Sequence, residues 1–189
     1  MSRKEEIETE MLKINNLIEE MCTSGIKAHN YNEYWNLKEQ ASCLKEELEF
    51  LSLKKIATDY EIDIYEDENE NEQEKKKYRI TLHNIPKEIG NVTLTYGKKY
   101  KERYGHIAYR IEPEYQGHNY AFKALQLLIN EIIKRGLDKP IISAFPNNIP
   151  SIKIIEKMGG ELLHEAQGLF DWNIYQIDLL KQKTKMKLK

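Results

Sequence analysis

A change of hydrophobic period near residue 57 does most to limit what this chain can fold into. Before it, Ile7, Met11, Ile14, Ile18 and Met21 recur at alternating spacings of four and three, as do Leu37, Ala41, Leu44, Leu48 and Leu51. Such spacing puts each set on one stripe of a helix, which predicts helices over 3–22 and 30–56 joined as a hairpin or coiled coil. Ser2 with Glu5 and Asn30 with Glu33 fit capping boxes at the two starts, and "TSGIKAH" supplies the break between the helices. The spare apolar surface of such a hairpin must pack on the rest of the chain or on a second copy, as in a homodimer. Cys22 and Cys43 lie in this region without CxxC or metal-ligand spacing and are expected to be buried structural thiols.

After residue 57 the apolar residues alternate. "YEIDIY" (60–65), "KYRITLH" (77–83), "NVTLTY" (91–96) and "GHIAYRI" (105–111) read as strands, with Ile62, Ile64, Ile80, Leu82, Val92 and Leu94 on buried faces. The charged run "EDENENEQEKKK" between the first two reads as a solvated hairpin loop. A helix over 119–136 presents Ala121, Ala124, Leu125, Leu128, Ile132 and Ile133 inward and ends at Gly136. There follow an apolar strand "PIISAF", a helix over 149–158 closed by Gly159-Gly160, and strands in "ELLHEA" and "FDWNIYQIDLL". Strands first, then helix, strand, helix and two strands describe an α/β (α+β) sheet with flanking helices, preceded by the helical hairpin. The expected divisions are 1–56, 57–180 and a frayed basic tail, 181–189.

Composition excludes several classes. Hydrophobic residues make up 40% of the chain, enough for a packed core, and a net charge of −2 argues against a nucleic-acid surface spread over the molecule. No apolar run reaches the length of a membrane span, and the N-terminus lacks the apolar stretch of a signal peptide, so the expectation is a cytoplasmic protein with neither a membrane nor a metal partner.

The turn "IEPEYQGHNYAFKAL" (111–125) carries the chemistry. It passes from strand to helix, and a helix start leaves about four backbone N–H groups unpaired and roughly half a positive charge, which suits a phosphate or pyrophosphate. Gly117 lets a ligand approach the backbone, His118 adds a donor, and Ala121 keeps the first turn small. In its setting this turn resembles the acetyl-CoA loop of the GNAT superfamily of N-acetyltransferases, in particular a bacterial subgroup of predicted acetyltransferases. "EPEYQGHNYA" stands where the family has its Arg/Gln-x-x-Gly-x-Gly/Ala loop, and Asn148-x-x-Ser151 followed by "IIEKMGG" resembles its later helix.

The resemblance implies a fold: a mixed, mostly antiparallel GNAT-like sheet. It also implies a function: transfer of an acetyl group from acetyl-CoA, as co-substrate, to a primary amine. Backbone N–H groups from Gln116 to Ala121, thus of Gly117, His118, Asn119 and Tyr120 as well, would hold the pyrophosphate. Backbone atoms of Ile111, Glu112 and Pro113 would pair with the pantetheine arm, Asn148 would hydrogen-bond it, and Ser151 would sit beside it. Lys153 and Lys157 are candidates for the ribose phosphate, though surface lysines usually meet water. Two departures stand out: Asn119 replaces a common glycine, which Asn tolerates in left-handed backbone, and Ile155 occupies the position of the tyrosine that protonates the leaving thiolate. Ser151 or a nearby tyrosine would substitute, or the thiolate, a tolerable leaving group, would leave unaided. His106 is the candidate general base, with Glu112 and Glu114 as alternatives, and Tyr96 and Tyr109 either line the acceptor pocket or belong to the core. The helices that the family places between its first strands are missing, so the N-terminal hairpin is expected on the acceptor side. The competing reading is a catalytically impaired CoA-binding or protein-interaction module that works through that hairpin.

Overall fold

The computed structural model describes residues 2–24, 30–72, 74–96, 105–168 and 171–187. Its contacts divide the chain into two units, Met1–Leu53 and Lys54–Lys189.

The first unit holds helix α1 (Arg3–Thr23) and helix α2 (Tyr31–Ser52), which pack on each other. Ser2 and Glu5 form the expected capping box, closing both orphan donors at the start of α1. Asn30 occupies the cap position of α2, but its side chain makes no capping bond. Ile7, Ile14 and Ile18 are buried. On α2 the stripe is only partly covered, and Leu51 is 45% exposed. Both cysteines are exposed, not buried, because Cys22 and Cys43 each fall one position off their stripe. Arg3 grips Glu47 through two hydrogen bonds of 2.9 and 3.0 Å, tying the start of α1 to the last turns of α2. The turn expected at 23–29 lies largely outside the described residues.

The second unit begins earlier than the period change suggests. Strand β1 (Lys54–Thr58) follows α2 at once, where the helical pattern had been extended to residue 56. It is an exposed edge strand, and Lys54 and Lys55 guard it against pairing with another chain. Next come β2 (Ile62–Glu72), β3 (Lys75–Leu82), β4 (Glu88–Thr95) and β5 (Ile107–Ile111). The acidic run 66–77 is therefore largely strand rather than loop: β2 extends to Glu72, β3 begins at Lys75, and the two pair with Asp67 opposite Lys77 and Glu72 opposite Lys75. Opposite charges across a ladder offset the low strand propensity of Glu and Asp.

Helix α3 (Tyr120–Lys134), strand β6 (Ile141–Ala144), helix α4 (Ile149–Lys157), strands β7 (Gly160–His164) and β8 (Asn173–Ile177), and helix α5 (Leu179–Lys187) complete the unit. The last strand stops short of "DLL", and the residues expected to fray form α5 instead. Asp178 accepts from the Lys181 N–H at its start, and Leu179 is fully buried in the core against which α5 packs. Lys189 lies outside the described residues.

Among the described residues the strands form a five-stranded sheet, β1-β2-β3-β4-β5, and a three-stranded sheet, β6-β8-β7, every pairing antiparallel. Helix α3 lies across β1, β2, β4 and β5, and α4 lies on β6 and β7. The inner face of α3 is the expected one except that Ile129 joins it and Ile133 is only partly buried, and each large buried side chain there contributes roughly 1.5–3 kcal/mol by leaving water. Ile62, Ile64, Ile80, Val92 and Leu94 are buried beneath it, with Leu82 partly covered. One core runs from these residues through Ile142, Ile155 and Tyr175 to Leu179, so the two sheets share an interior.

Candidate active site

Among the described residues the two sheets are bridged at Gly105 and part beyond it. Gly105 bridges Ile142, and the His106 N–H donates to the Ile141 carbonyl at 2.6 Å. His106 Nδ1 in turn accepts the Ile141 N–H at 2.9 Å. Gly105 has a φ of 77°, and a side chain there would overlap the Ile141 carbonyl, so only glycine lets the strands approach so closely. Past this junction β5 has no strand partner on its outer side.

Register decides which β5 groups face that open side. The Thr95 N–H donates to His106, and the Glu112 N–H donates to Ile89 at 2.9 Å. The even-numbered residues of β5 thus point their backbone groups at β4. Those of Ile107, Tyr109 and Ile111 point away, toward the gap. The Ile111 carbonyl already accepts from the Gln116 side chain at 2.9 Å. Glu112 and Pro113 differ from the expectation of an open backbone: their carbonyls accept the N–H groups of Tyr115 and Gln116 in a 3-10 turn, Pro113–Tyr115.

A cleft of about 540 Å3 occupies the gap. It is lined by Tyr109, Arg110 and Ile111 from β5, by Tyr115 to Gly117 and Asn119 to Ala121 from the turn and the start of α3, and by Asn148, Pro150, Ser151, Lys153, Ile154 and Lys157 from α4. The structure thus brings together Ile111, Gln116, Gly117, Asn119, Tyr120, Ala121, Asn148 and Ser151, together with the two lysines. Glu112, Pro113 and His118 do not line it; His118 stacks on Tyr120 at 5.5 Å, and Glu112 and Glu114 pair with Arg110 and Lys87. His106 is buried at the junction and is also not among the lining residues.

The turn itself is a row of donors. None of the N–H groups of Gly117, His118, Asn119, Tyr120 and Ala121 has an acceptor among the described residues. Gly117 has a φ of 84° with open space where a side chain would be. Asn119 adopts the left-handed conformation at a φ of 63° just before α3, and its side chain does not cap the helix. Opposite, Asn148 caps α4 by accepting the Ser151 N–H at 3.2 Å, so what it offers a ligand is Nδ2. The Tyr109 hydroxyl is buried and has no hydrogen-bond partner among the described residues. Burial raises its pKa; Ser151 lies near enough to act against that rise, yet outside hydrogen-bonding geometry. Sequence reasoning left Tyr109 between pocket and core, and the missing signal was the register of β5.

Asp63 on β2 forms a second cluster, which the sequence did not reveal. It is wholly buried, and burial alone would raise its pKa. Hydrogen bonds from Thr58, the Asn84 N–H, Lys55 and His83 outweigh this and hold it at about 2. Among the described residues no group of His, Cys, Asp and Glu could hold a metal ion, and no helix is long and apolar enough to cross a membrane.

No curated protein sequence matches this chain. Solved structures match in fold. The apo ribosomal L7/L12 alpha-N-protein acetyltransferase RimL, crystal form I, is 15% identical, with 66% of this chain and 93% of that chain covered and a TM-score of 0.53. Mutant forms of the spermidine/spermine N-acetyltransferase SpeG from Vibrio cholerae are 18% identical, with 61% and 71% covered and a TM-score of 0.51. A ribosomal-protein-S5-alanine acetyltransferase from Vibrio fischeri is 22% identical at a TM-score of 0.47, and this chain spans 62% of it. The profile of the acetyltransferase (GNAT) domain matches residues 30–161, running from α2 through α4. The row of unpaired donors, the parted sheets and this match lead to one conclusion: the chain belongs to the GNAT acetyltransferase family.

Proposed function

We propose that the protein is an N-acetyltransferase that moves the acetyl group of acetyl-CoA to a primary amine, in the cytoplasm. The observation that carries this reading is the row of unpaired N–H groups from Gly117 to Ala121 at the mouth of the cleft. Donors so placed at a helix start suit the CoA pyrophosphate, the helix dipole adding to the attraction. From there the pantetheine arm would run along the open side of β5. Its amides find backbone groups of Ile111 and Tyr109 there, as an added strand would, with Asn148 across the cleft. Lys153 and Lys157 would meet the ribose phosphate.

The amine nitrogen attacks the thioester carbonyl carbon, a C–N bond forms, the C–S bond breaks, and the electron pair leaves on sulfur. The attacking amine must be neutral, so a base takes its proton. His106 is the proposed base; its Nδ1 lone pair accepts the Ile141 N–H, so Nε2 carries the ring proton of the neutral imidazole and proton uptake at Nδ1 requires that bond to be given up. Ser151 is the proposed polar partner near the reacting group. The fold neighbours RimL and SpeG are named for a protein N-terminus and for polyamines, so the acceptor screen starts with a short peptide bearing a free N-terminus and with spermidine.

The test is the melting temperature with acetyl-CoA, free CoA and ATP. Ligand at a hundred times its dissociation constant adds about 2.7 kcal/mol, a rise of roughly 5–10 °C for a chain of this size. A rise with both CoA species but not with ATP is expected. No rise at millimolar acetyl-CoA would remove this function.

A further inference from the structure

The reaction expels a thiolate into a cleft that holds little to receive it. The cations on its wall sit at the rim: Arg110 is 69% exposed and paired with Glu112, and Lys157 lies over the Phe122 ring at 4.0 Å. Ile155, buried beside the cleft, has no proton to give. One polar atom is placed differently. The Tyr109 hydroxyl is buried without a hydrogen-bond partner among the described residues, on a residue that lines the cleft opposite Ser151. A buried hydroxyl with no partner carries the full cost of its lost hydration. Such a cost persists where the group is kept for something absent from the free protein.

The position identifies what that is. An extended arm entering at Gly117 and pairing first with Ile111 reaches Tyr109 next, moving toward the Gly105–Ile142 junction where the sheets close. The reactive end of the arm therefore lies at the Tyr109 end of the cleft. Resting on the acetyl-CoA reading above, we infer that the Tyr109 hydroxyl donates the hydrogen bond that stabilises the departing CoA sulfur. As the C–S bond breaks, the electron pair on sulfur is met by the Tyr109 O–H. A proton from water then completes the CoA thiol, and the hydroxide this leaves is neutralised by the proton that the base took from the amine. Burial raises the pKa of this phenol, so it stays in its neutral, donating form. Ser151 receives no proton in this step.

The experiment needs no acceptor. Free CoA is bound to wild type, Tyr109→Phe and Ser151→Ala, and the thiol pKa of bound CoA is read from thiolate absorbance, with the desulfo-CoA complex as reference. Wild type is expected to hold the thiol about one to two pH units below Tyr109→Phe, the worth of one hydrogen bond to a charged group. The unliganded Tyr109→Phe protein is expected to melt no lower than wild type, since the hydroxyl it loses is unpaired. Equal thiol pKa values in wild type and Tyr109→Phe would overturn the inference, as would a rise confined to Ser151→Ala. A Tyr109→Phe protein that melts well below wild type, or loses CoA while wild type keeps it, would show a structural or anchoring role instead. If CoA raises the melting temperature of neither, the acetyl-CoA reading itself fails and takes this inference with it.

Discussion

Gly117→Ala separates the ligand's needs from the fold's. In the free protein the new Cβ meets no atom within 4 Å, so no clash arises. What it costs is backbone: φ at this position is 84°, and a left-handed residue other than glycine loses about 1–2 kcal/mol. For a chain of this size that lowers the melting temperature by roughly 2–8 °C. Binding should suffer more. The methyl group enters the space beside the free N–H groups, and any relaxation of φ turns the Gly117 and His118 donors away from a bound pyrophosphate. Each hydrogen bond to a charged group contributes about 1.5–3 kcal/mol, so losing one or two weakens CoA by roughly ten-fold to more than a thousand-fold. Calorimetric titration of CoA into wild type, Gly117→Ala and His118→Ala measures this, the last serving as control because His118 stacks on Tyr120 outside the cleft. CoA binding to Gly117→Ala with wild-type affinity would refute the assignment of these N–H groups to the pyrophosphate.

Asp63 makes stability depend on pH in a defined window. Its folded pKa, about 2, lies below the ordinary 3.8, so it stabilises the fold above pH 4 and loses that contribution as pH falls from about 4 to about 2. The shift corresponds to about 2 kcal/mol. Acid unfolding of Asp63→Asn should start from a lower stability and be flatter across that window; an unchanged acid midpoint and slope would contradict this. His106→Asn keeps an oxygen to accept the Ile141 N–H but cannot take up a proton. It should hold the unfolding free energy within about 1 kcal/mol of wild type and remove the rise of rate with pH, and a retained pH profile would move the base elsewhere. Gly105→Ala forces the Ile141 carbonyl away, and a loss of about 2 kcal/mol or more is expected by denaturant titration, with weaker CoA binding as the junction opens.

Most of the element order was legible in the residues. Periods of 3.6 and 2 depend on which side chains must leave water, and the chain writes both plainly in α1, α3 and β2 to β5. The failures share a cause. Strand β1 is short and exposed, so it carries no alternation to read. The acidic run looked too charged to pair, yet β2 and β3 carry it because lysines stand opposite the acids. Helix α5 looked like a frayed tail because only Leu179 marks its contact with the core. Cys22 and Cys43 were expected inside on residue type alone, and position on the helix put them outside.

The sequence by itself determined the helical pair, the strands after β1, the glycine turn before α3 and the family they belong to. These depend on near neighbours along the chain, where spacing and residue type settle the matter. Tertiary structure decided which groups face the cleft. Pairing of β5 with β4 turned Glu112 inward and left Tyr109 and Ile111 open, because a strand's backbone groups alternate sides and only the partner's register fixes which side is used. The same pairing brought a tyrosine hydroxyl from β5 near a serine on α4, 42 residues later in the chain, and left it buried with no hydrogen-bond partner among the described residues. No spacing rule holds that fact, since it exists only where two separated segments meet.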